Sequence, residues 1–198
     1  MLDYTEIENF DKLIISYYQH CESYNTIIQL LEKAVDITNP EICFLHLTQA
    51  FELLHKTFFQ NNKAEQKQYA NEVYLTFQLK TQSKHWDQLM IYYFFYKMAE
   101  EQKFGIDFPS EYITFIKKVR NTRNYYTHYD KAGDIWKYVE LYQINSLLMI
   151  WLRALILYHL NLSVEKIRIC IKRETRNFRN DDIFENEYSM RYNNYFTK

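Results

Sequence analysis

The sequence predicts an all-α protein, and three observations lead to this prediction. First, the chain has 198 residues, of which 47% are hydrophobic, enough for the core of one domain. Second, it contains only two glycines and two prolines, whereas sheets with tight hairpins need glycine where φ is positive. Third, apolar residues recur at the three-to-four-residue spacing of amphipathic helices. Charged residues are 25% of the chain, so the composition is globular and excludes wholesale disorder.

Residues 5–36 are predicted to be helical, because apolar residues repeat at i, i+3, i+4 and i+7. The stripe begins with Phe10, Leu13, Ile14, Tyr17 and Tyr18. A polar stretch over 20–25 is expected to divide this segment in two. Asn39 and Pro40 then indicate a helix start, since asparagine caps helices and proline is tolerated in the first turn. A helix over 41–60 is expected to follow.

Five further helices are predicted from the same spacing. The polar sequence over 61–68 is interpreted as a linker, and the sequence over 104–110 as a loop, because it contains a glycine and a proline. Ser110 and Asp134 are candidate N-caps for the helices that follow them. The expected helices cover 66–80, 84–102, 110–129, 134–160 and 164–178.

The whole chain, residues 1–198, is expected to form a single helical domain. Within it we distinguish an N-terminal helical extension over 1–36, a helical core over 40–162, and a basic helix with a polar tail over 163–198.

The composition excludes several classes of site. Two glycines cannot form a P-loop or a dinucleotide-binding loop. Three scattered cysteines, with no CxxC or HExxH spacing, predict neither a disulfide framework nor a metal site. We therefore expect no metal and no cofactor. A formal charge of −1 gives no overall signature of nucleic-acid binding, so such a site must come from local charge.

The expected location of the protein is the cytoplasm. Its first ten residues are partly acidic and contain no apolar signal-peptide core. The most apolar run, over 147–160, is interrupted by Arg153 and is too short to span a bilayer, so no membrane is expected as a partner. Unpaired cysteines fit a reducing compartment.

One predicted helix combines cations, an amide and an imidazole. Arg120, Asn124 and His128 are spaced four residues apart, so on a helix they share one slanted stripe, with Arg123 beside it. The stretch over 113–129 carries four basic residues and no carboxylate. This pattern predicts a local positive field that ends in an imidazole.

The same helix resembles a motif of a known family. Arg123, Asn124 and His128 match the Arg-Asn-x-x-x-His pattern of HEPN domains. Upstream, the sequence LTQAFELLH over 47–55 is similar to the QALE-x-x-H helix of the Apea-like branch of that family. The resemblance covers residues 40–165. It departs from the family after the histidine, where Tyr-Asp stands in place of the glycine of many members.

The resemblance implies a helical bundle that dimerises across the motif face and, in most active members, a metal-independent endoribonuclease. It assigns catalysis to Arg123, Asn124 and His128, and we expect Glu52 to support them. Proteins that resemble this branch often act as toxins or in bacterial defence against phage. The implied partners are RNA, as tRNA or other single-stranded loops, a second copy of the chain, and an antitoxin or regulatory protein.

The residue types fit this chemistry. When the 2′-OH of RNA attacks the adjacent phosphate, the step needs a base, an acid and positive charge on the phosphorane. Imidazole titrates near neutral pH and suits either proton role, while guanidinium suits the phosphorane. Asn124 is expected to orient His128 or hold the phosphate. The candidate RNA contacts are Arg120, Lys117, Lys118, Tyr125 and Tyr126.

Each candidate also has a structural alternative. His128 could cap a helix or hydrogen-bond within a core, and Arg123 could be ion-paired across the bundle with Glu52. The cations before Arg123 could form a solvated face. For the chain as a whole, the alternative is a non-catalytic HEPN module that dimerises or binds RNA or a nucleotide, as a separate protein or as the C-terminal domain of a longer one.

A second basic stretch covers residues 166–179, with six cations and one internal acid, Glu174. It could follow an RNA backbone, with Phe178 available for stacking on a base. The alternative is an amphipathic helix whose basic face is only solvated.

Overall fold

The computed structural model describes residues 10–59, 63–78, 86–129 and 133–180; at 63, 86 and 175–180 it describes the backbone alone. These ranges contain eight helices and no strand, which confirms the all-α prediction. In chain order they are α1 (Phe10–Gln19), α2 (Cys21–Asp36), α3 (Pro40–Phe58), α4 (Lys63–Thr76), α5 (Trp86–Glu101), α6 (Tyr112–His128), α7 (Tyr138–His159) and α8 (Val164–Asn180). The expected polar tail after residue 180 lies outside the described ranges.

Two predicted helix boundaries are confirmed. The N-terminal helical segment is divided at His20, the first residue of the polar stretch, which lies in a turn between α1 and α2. Helix α3 begins after Asn39, whose Oδ1 accepts hydrogen bonds from the N–H of Glu41 at 2.9 Å and of Ile42 at 3.3 Å. Pro40 occupies the first turn, where its missing N–H is not needed.

Both other predicted N-caps are wrong. Glu111 rather than Ser110 is the N-cap of α6. The N-cap of α7 is Lys137, whose N–H donates to Oε2 of Glu140 at 3.0 Å. Asp134 instead forms an ion pair with Lys118 of α6. The segment that begins at Asp134 is therefore held against α6, and α7 starts later in the chain than expected.

The linker expected over 61–68 is mostly helical, because α4 begins at Lys63. Its residues 61–62 lie outside the described ranges. Alanine, glutamate, glutamine and lysine are all good helix formers, so polarity alone did not identify a linker here.

Helices α3 and α7 lie side by side at the centre of the bundle and run in the same direction. Near their starts, Nδ2 of Asn145 donates to the carbonyl of the first residue of α3 at 2.8 Å. In the middle, the fully buried rings of Phe51 and Trp151 are 4.9 Å apart. At their ends, the rings of Phe58 and His159 are 4.1 Å apart. Helix α2 packs on α3, α5 and α6 contact α3 as well, and α8 packs on α7.

Helix α7 is a core helix. With 22 residues, and thus longer than the apolar run over 147–160 that the sequence marks, it is long and apolar enough to cross a membrane by length and composition. More than half of its most apolar window, 56%, is buried inside the bundle. Burial against α3 and α8 therefore accounts for its apolar character.

Two histidines lie at the ends of the central helices, one buried (His55) and one half-buried (His159). His55 on α3 is 3% exposed and lies among the rings of Phe59, Phe94 and Phe95. Burial lowers the pKa of His55 to about 4. Burial, and then the nearby His20, lower the pKa of the last residue of α7, His159, to about 4. Both are therefore neutral in the folded protein at physiological pH.

We expect the free energy of unfolding to decrease as the pH falls from about 6.5 to about 4. Between these pH values the unfolded chain binds protons at His55 and His159, which stay neutral in the folded protein. His55 alone should lower the free energy of unfolding by roughly 2–3 kcal/mol at pH 4. Urea unfolding from pH 7 to pH 4 measures this loss. The variant His55→Leu removes the imidazole at similar volume and should show a weaker pH dependence. The control variant Lys56→Leu changes an exposed neighbour and should keep the pH dependence of the wild type. Equal pH dependence of the unfolding free energy in all three proteins would contradict the assignment of this effect to His55.

Candidate catalytic site on helix α6

The C-terminal half of α6 is fixed by the segment that leads into α7. The N–H of Trp136 donates to Oγ1 of the fully buried Thr122 at 3.0 Å, and the hydroxyl of Tyr126 donates to the carbonyl of Trp136 at 3.2 Å. Burial, and then the charge of Glu41, raise the pKa of Tyr126 to about 12. Tyr126 is 9% exposed and holds this segment on the helix, so it is not placed to stack on a base.

Arg123 forms an ion pair with Glu52, across the contact between α6 and α3. Its Nε lies 3.1 Å from Oε1, and its Nη2 lies 3.4 Å from Oε2. The two side chains are 18% and 24% exposed, so the pair is largely shielded from water. The carboxylate holds the guanidinium from one side and fixes its orientation, while Nη1 stays outside the pair.

Oε1 of Glu52 is buried and meets Arg123 as an ion pair, without the geometry of a hydrogen bond. Two further buried polar atoms, the hydroxyl of Tyr92 and Oδ1 of Asn124, have no hydrogen-bond partner among the described residues. Burial is the main cause of the raised pKa of Tyr92; the charge of Glu52 raises it further and that of Arg123 lowers it. The motif arginine thus sits at a polar centre between α3, α5 and α6.

His128 is the last residue of α6 and is exposed. The chain leaves the helix through Tyr129 in the left-handed region, with φ 51°. Arg123 precedes His128 by five residues, which separates them by about 140° around the helix axis. Arg123 is turned towards α3, whereas the imidazole faces solvent at the helix end. Among the described residues no side-chain hydrogen bond joins the imidazole of His128 to either Arg123 or Asn124.

Arg120 is half-buried and bonds to its own neighbour. Its Nε and Nη2 donate to Oδ1 of Asn121 at 3.1 and 2.7 Å, and Nδ2 of Asn121 donates to the carbonyl of Asp134 at 3.4 Å. Burial lowers the pKa of Arg120. This chain of bonds ties α6 to the segment before α7.

The two lysines before the motif differ in their surroundings. Lys117 is exposed, with Nζ 5.8 Å from the ring centre of Phe77. The side chain of Lys118 is only 18% exposed, and its Nζ lies 3.1 Å from Asp134 and 3.8 Å from Glu140. Lys118 therefore does not lie on a solvated face. Carboxylates from other parts of the chain neutralise two of the four cations that the sequence groups on α6, Lys118 and Arg123.

The aromatic residues around His128 form a small group. Tyr125 is half-buried and its ring lies edge-on to those of Tyr126 and Tyr129, at 5.0 and 6.1 Å between ring centres. Tyr129 is 76% exposed and directly follows His128 in the chain. Tyr129 is not among the RNA contacts predicted from the sequence; its position directly after the motif histidine is the signal that could have identified it.

Sequence reasoning also missed the residues that hold the site. Trp136 and Thr122 fix the end of α6, and Tyr92 lies beside the ion pair. No local sequence pattern identifies these residues, because each acts through a contact between distant parts of the chain. In the described part of the chain, no group of three or more His, Cys, Asp and Glu side chains is arranged to hold a metal ion.

A comparison with protein-family models adds independent information. A model described as Apea-like HEPN matches residues 45–166, more than half of the chain. The matched region runs from α3 to the start of α8 and includes Glu52, Arg123 and His128. No curated protein and no solved structure matches the chain.

We expect a coupling free energy of about 1–2 kcal/mol between Glu52 and Arg123, because each removal leaves the other charge partly buried and unpaired. A double-mutant cycle with Glu52→Gln and Arg123→Met, followed by urea unfolding, measures it. The exposed pair Lys97–Glu101, at 3.7 Å and 37% and 54% exposure, is the matched control. Its coupling should stay below about 0.5 kcal/mol. Equal coupling in both cycles would mean that the site pair has no special shielding.

Proposed function

Because this chain belongs to the Apea-like HEPN family, we propose that it is a metal-independent endoribonuclease that cleaves RNA through attack of its 2′-OH on the adjacent phosphate. The observation that carries the proposal is the arrangement on α6. An exposed imidazole stands at the helix end, and a carboxylate of α3 holds the guanidinium of Arg123 in a fixed orientation.

The proposed roles follow from the groups themselves. His128 is free to face a substrate and exchanges a proton with the 2′-OH or with the leaving 5′ oxygen. Arg123 stabilises the charge of the phosphorane through the edge that Glu52 leaves open. Asn124 has a buried amide oxygen without a partner and orients the phosphate through its amide group. One imidazole can serve either as the base for the 2′-OH or as the acid for the 5′ oxygen, so the other of these two roles needs a second acid–base group.

A second copy of the chain would supply that group, so we propose a homodimer across the Arg123/His128 face. One chain offers one motif histidine, whereas a two-fold axis beside α6 brings two histidines and two arginines into one cleft. The aromatic residues at this end of the bundle support the proposal. Tyr129, Tyr138 and Tyr142 are 76%, 50% and 43% exposed, and such side chains are enriched in interfaces.

The proposed biological role is that of a bacterial toxin or an anti-phage effector in the cytoplasm, held in check by an antitoxin or a regulatory partner. Its substrate would be tRNA or another RNA with single-stranded loops, because only unstacked nucleotides leave the 2′-OH and the phosphate open to side chains. Tyr125 and Lys117 are the candidate contacts that the structure leaves accessible near the motif.

One observation favours the alternative, a non-catalytic module that dimerises or binds RNA. The ion pair with Glu52 uses Nε and Nη2 of Arg123 and shields the guanidinium, as in a purely structural arginine. The exposure of His128 speaks against a role inside the core and leaves the imidazole open to a substrate, as a nuclease requires, while its place in the last turn of α6 also fits the helix-capping alternative.

We expect the purified protein to cleave total RNA and tRNA in excess EDTA and to leave 2′,3′-cyclic phosphate ends. His128→Ala and Arg123→Ala should each lower the rate by about 10²-fold or more, because they remove the proton transfer or the phosphorane charge. The neighbouring variant Thr127→Ala is the matched control and should cleave like the wild type. Equal cleavage by all four proteins would place the activity elsewhere or in a contaminant; no cleavage by any of them would favour the non-catalytic module.

A catalytic site shared between the two chains of a homodimer predicts that activity depends on dimerisation. Specific activity should fall when the protein is diluted below the dimer dissociation constant, because a monomer holds only half of the groups. Cleavage rates over a thousandfold dilution, compared with sedimentation at the same concentrations, measure this. A constant specific activity in samples that sediment as monomers would contradict the composite site.

A further inference from the structure

Tyr92 is a fully buried tyrosine of α5 that lies beside the ion pair between Arg123 and Glu52. Its side chain is 0% exposed, and its hydroxyl has no hydrogen-bond partner among the described residues. A buried hydroxyl without such a partner is destabilising, and a phenylalanine would fill the same space without this cost. The hydroxyl therefore calls for a role other than packing.

The ring of Tyr92 packs on the side of α3 that carries Glu52. Its centre lies 6.0 Å from that of Phe51, in an edge-on arrangement. Thr48, Phe51 and Glu52 are spaced three and four residues apart, so they share one side of α3. Thr48 is fully buried there, one helical turn before the carboxylate. Tyr92 thus meets α3 next to the residue that holds the motif arginine.

Both charges of the ion pair act on the hydroxyl of Tyr92. Burial raises the pKa of Tyr92, the charge of Glu52 raises it further, and Arg123 and Thr48 lower it. With a raised pKa the phenol keeps its proton and remains a hydrogen-bond donor at physiological pH. Thr48 already donates its own hydroxyl proton to the carbonyl of Leu45 at 3.0 Å, so towards Tyr92 it can only accept. Glu52 is the carboxylate that lies within reach of this donor's field.

The proposed reaction requires the guanidinium of Arg123 to serve two anions. Its Nε and Nη2 meet the carboxylate of Glu52 at 3.1 and 3.4 Å, and the RNA phosphate approaches the edge that stays open. Because the two anions share one cation in a largely shielded place, each weakens the attraction of the cation for the other. A second donor to the carboxylate reduces this competition. Its effect is largest in the transition state, where negative charge grows on the phosphorane.

We propose that Tyr92 is a positioning residue whose hydroxyl donates to the carboxylate of Glu52 when a phosphate meets Arg123, and so leaves more of the guanidinium charge to the phosphate. This inference rests on the proposed function for the identity of the substrate. In the free protein Arg123 neutralises Glu52 without this hydrogen bond. The proton stays on the phenol throughout, so the step changes a hydrogen-bond partner and no covalent bond.

The test compares two variants of neighbouring tyrosines on α5. Tyr92→Phe removes the hydroxyl and keeps the ring; it should lower kcat about tenfold and change KM less than about threefold, because the lost hydrogen bond to a charged group acts mainly in the transition state. The matched control Tyr93→Phe removes a hydroxyl from the next residue, whose ring packs 5.9 Å from that of Phe77, and should cleave RNA like the wild type. Equal cleavage by the wild type and both variants would overturn the inference.

Two further measurements distinguish this role from a merely structural one. The free energy of unfolding of Tyr92→Phe should not fall below that of the wild type, since the lost hydroxyl has no hydrogen-bond partner among the described residues. In the Glu52→Gln background, Tyr92→Phe should change kcat less than about twofold, because no negative charge is left for the hydroxyl to meet. A tenfold loss in that background as well would overturn the inference.

Binding of a short fluorescent single-stranded RNA, measured by anisotropy in the His128→Ala background, separates this inference from the proposed function. Tyr92→Phe should weaken this binding about threefold, and Tyr93→Phe should leave it unchanged. If the wild type cleaves RNA and Tyr92→Phe cleaves equally well, the inference on Tyr92 alone fails. If the wild type does not cleave but RNA binding depends on Tyr92, the nuclease proposal alone fails. If the wild type does not cleave and RNA binding is absent or independent of Tyr92, both fail.

Discussion

The contact between α3 and α7 is the interaction on which the rest of the structure depends. Phe51 packs on Trp151 in the core, and Glu52, the next residue of α3, presents its carboxylate to Arg123 on α6. Neighbouring residues on a helix point in different directions, so one turn of α3 fixes both the core and the site. The orientation of the motif arginine is therefore set by hydrophobic packing on a neighbouring face of the same helix.

The helices could be read from the sequence because their signals are local. Apolar spacing located all eight within a few residues, and Asn39 with Pro40 marked the start of α3. Asp134 was misread as an N-cap, since its carboxylate is engaged by Lys118 of another element. The positive field expected on α6 was overstated for the same reason: the carboxylates that neutralise it come from α3 and from the segment leading into α7.

The motif positions were also readable from the sequence, but not their surroundings. The four-residue spacing predicts that Arg120, Asn124 and His128 share one stripe of the helix. In the structure Arg120 donates to Asn121, and His128 lies exposed at the end of the helix. Tyr126 looked like a candidate for stacking and is instead buried beneath Trp136. Exposure and hydrogen-bond partners depend on how helices pack, which no window of sequence contains.

The order of the helices along the chain has a consequence for synthesis on the ribosome. Glu52, Arg123 and His128 all precede α7, the central partner of α3. A nascent or prematurely terminated chain that stops before residue 138 thus carries every motif residue but lacks the surface on which α3 packs. Such a chain cannot fix the carboxylate that holds Arg123. The Glu52–Arg123 ion pair therefore depends on a helix that is synthesised after both of its residues.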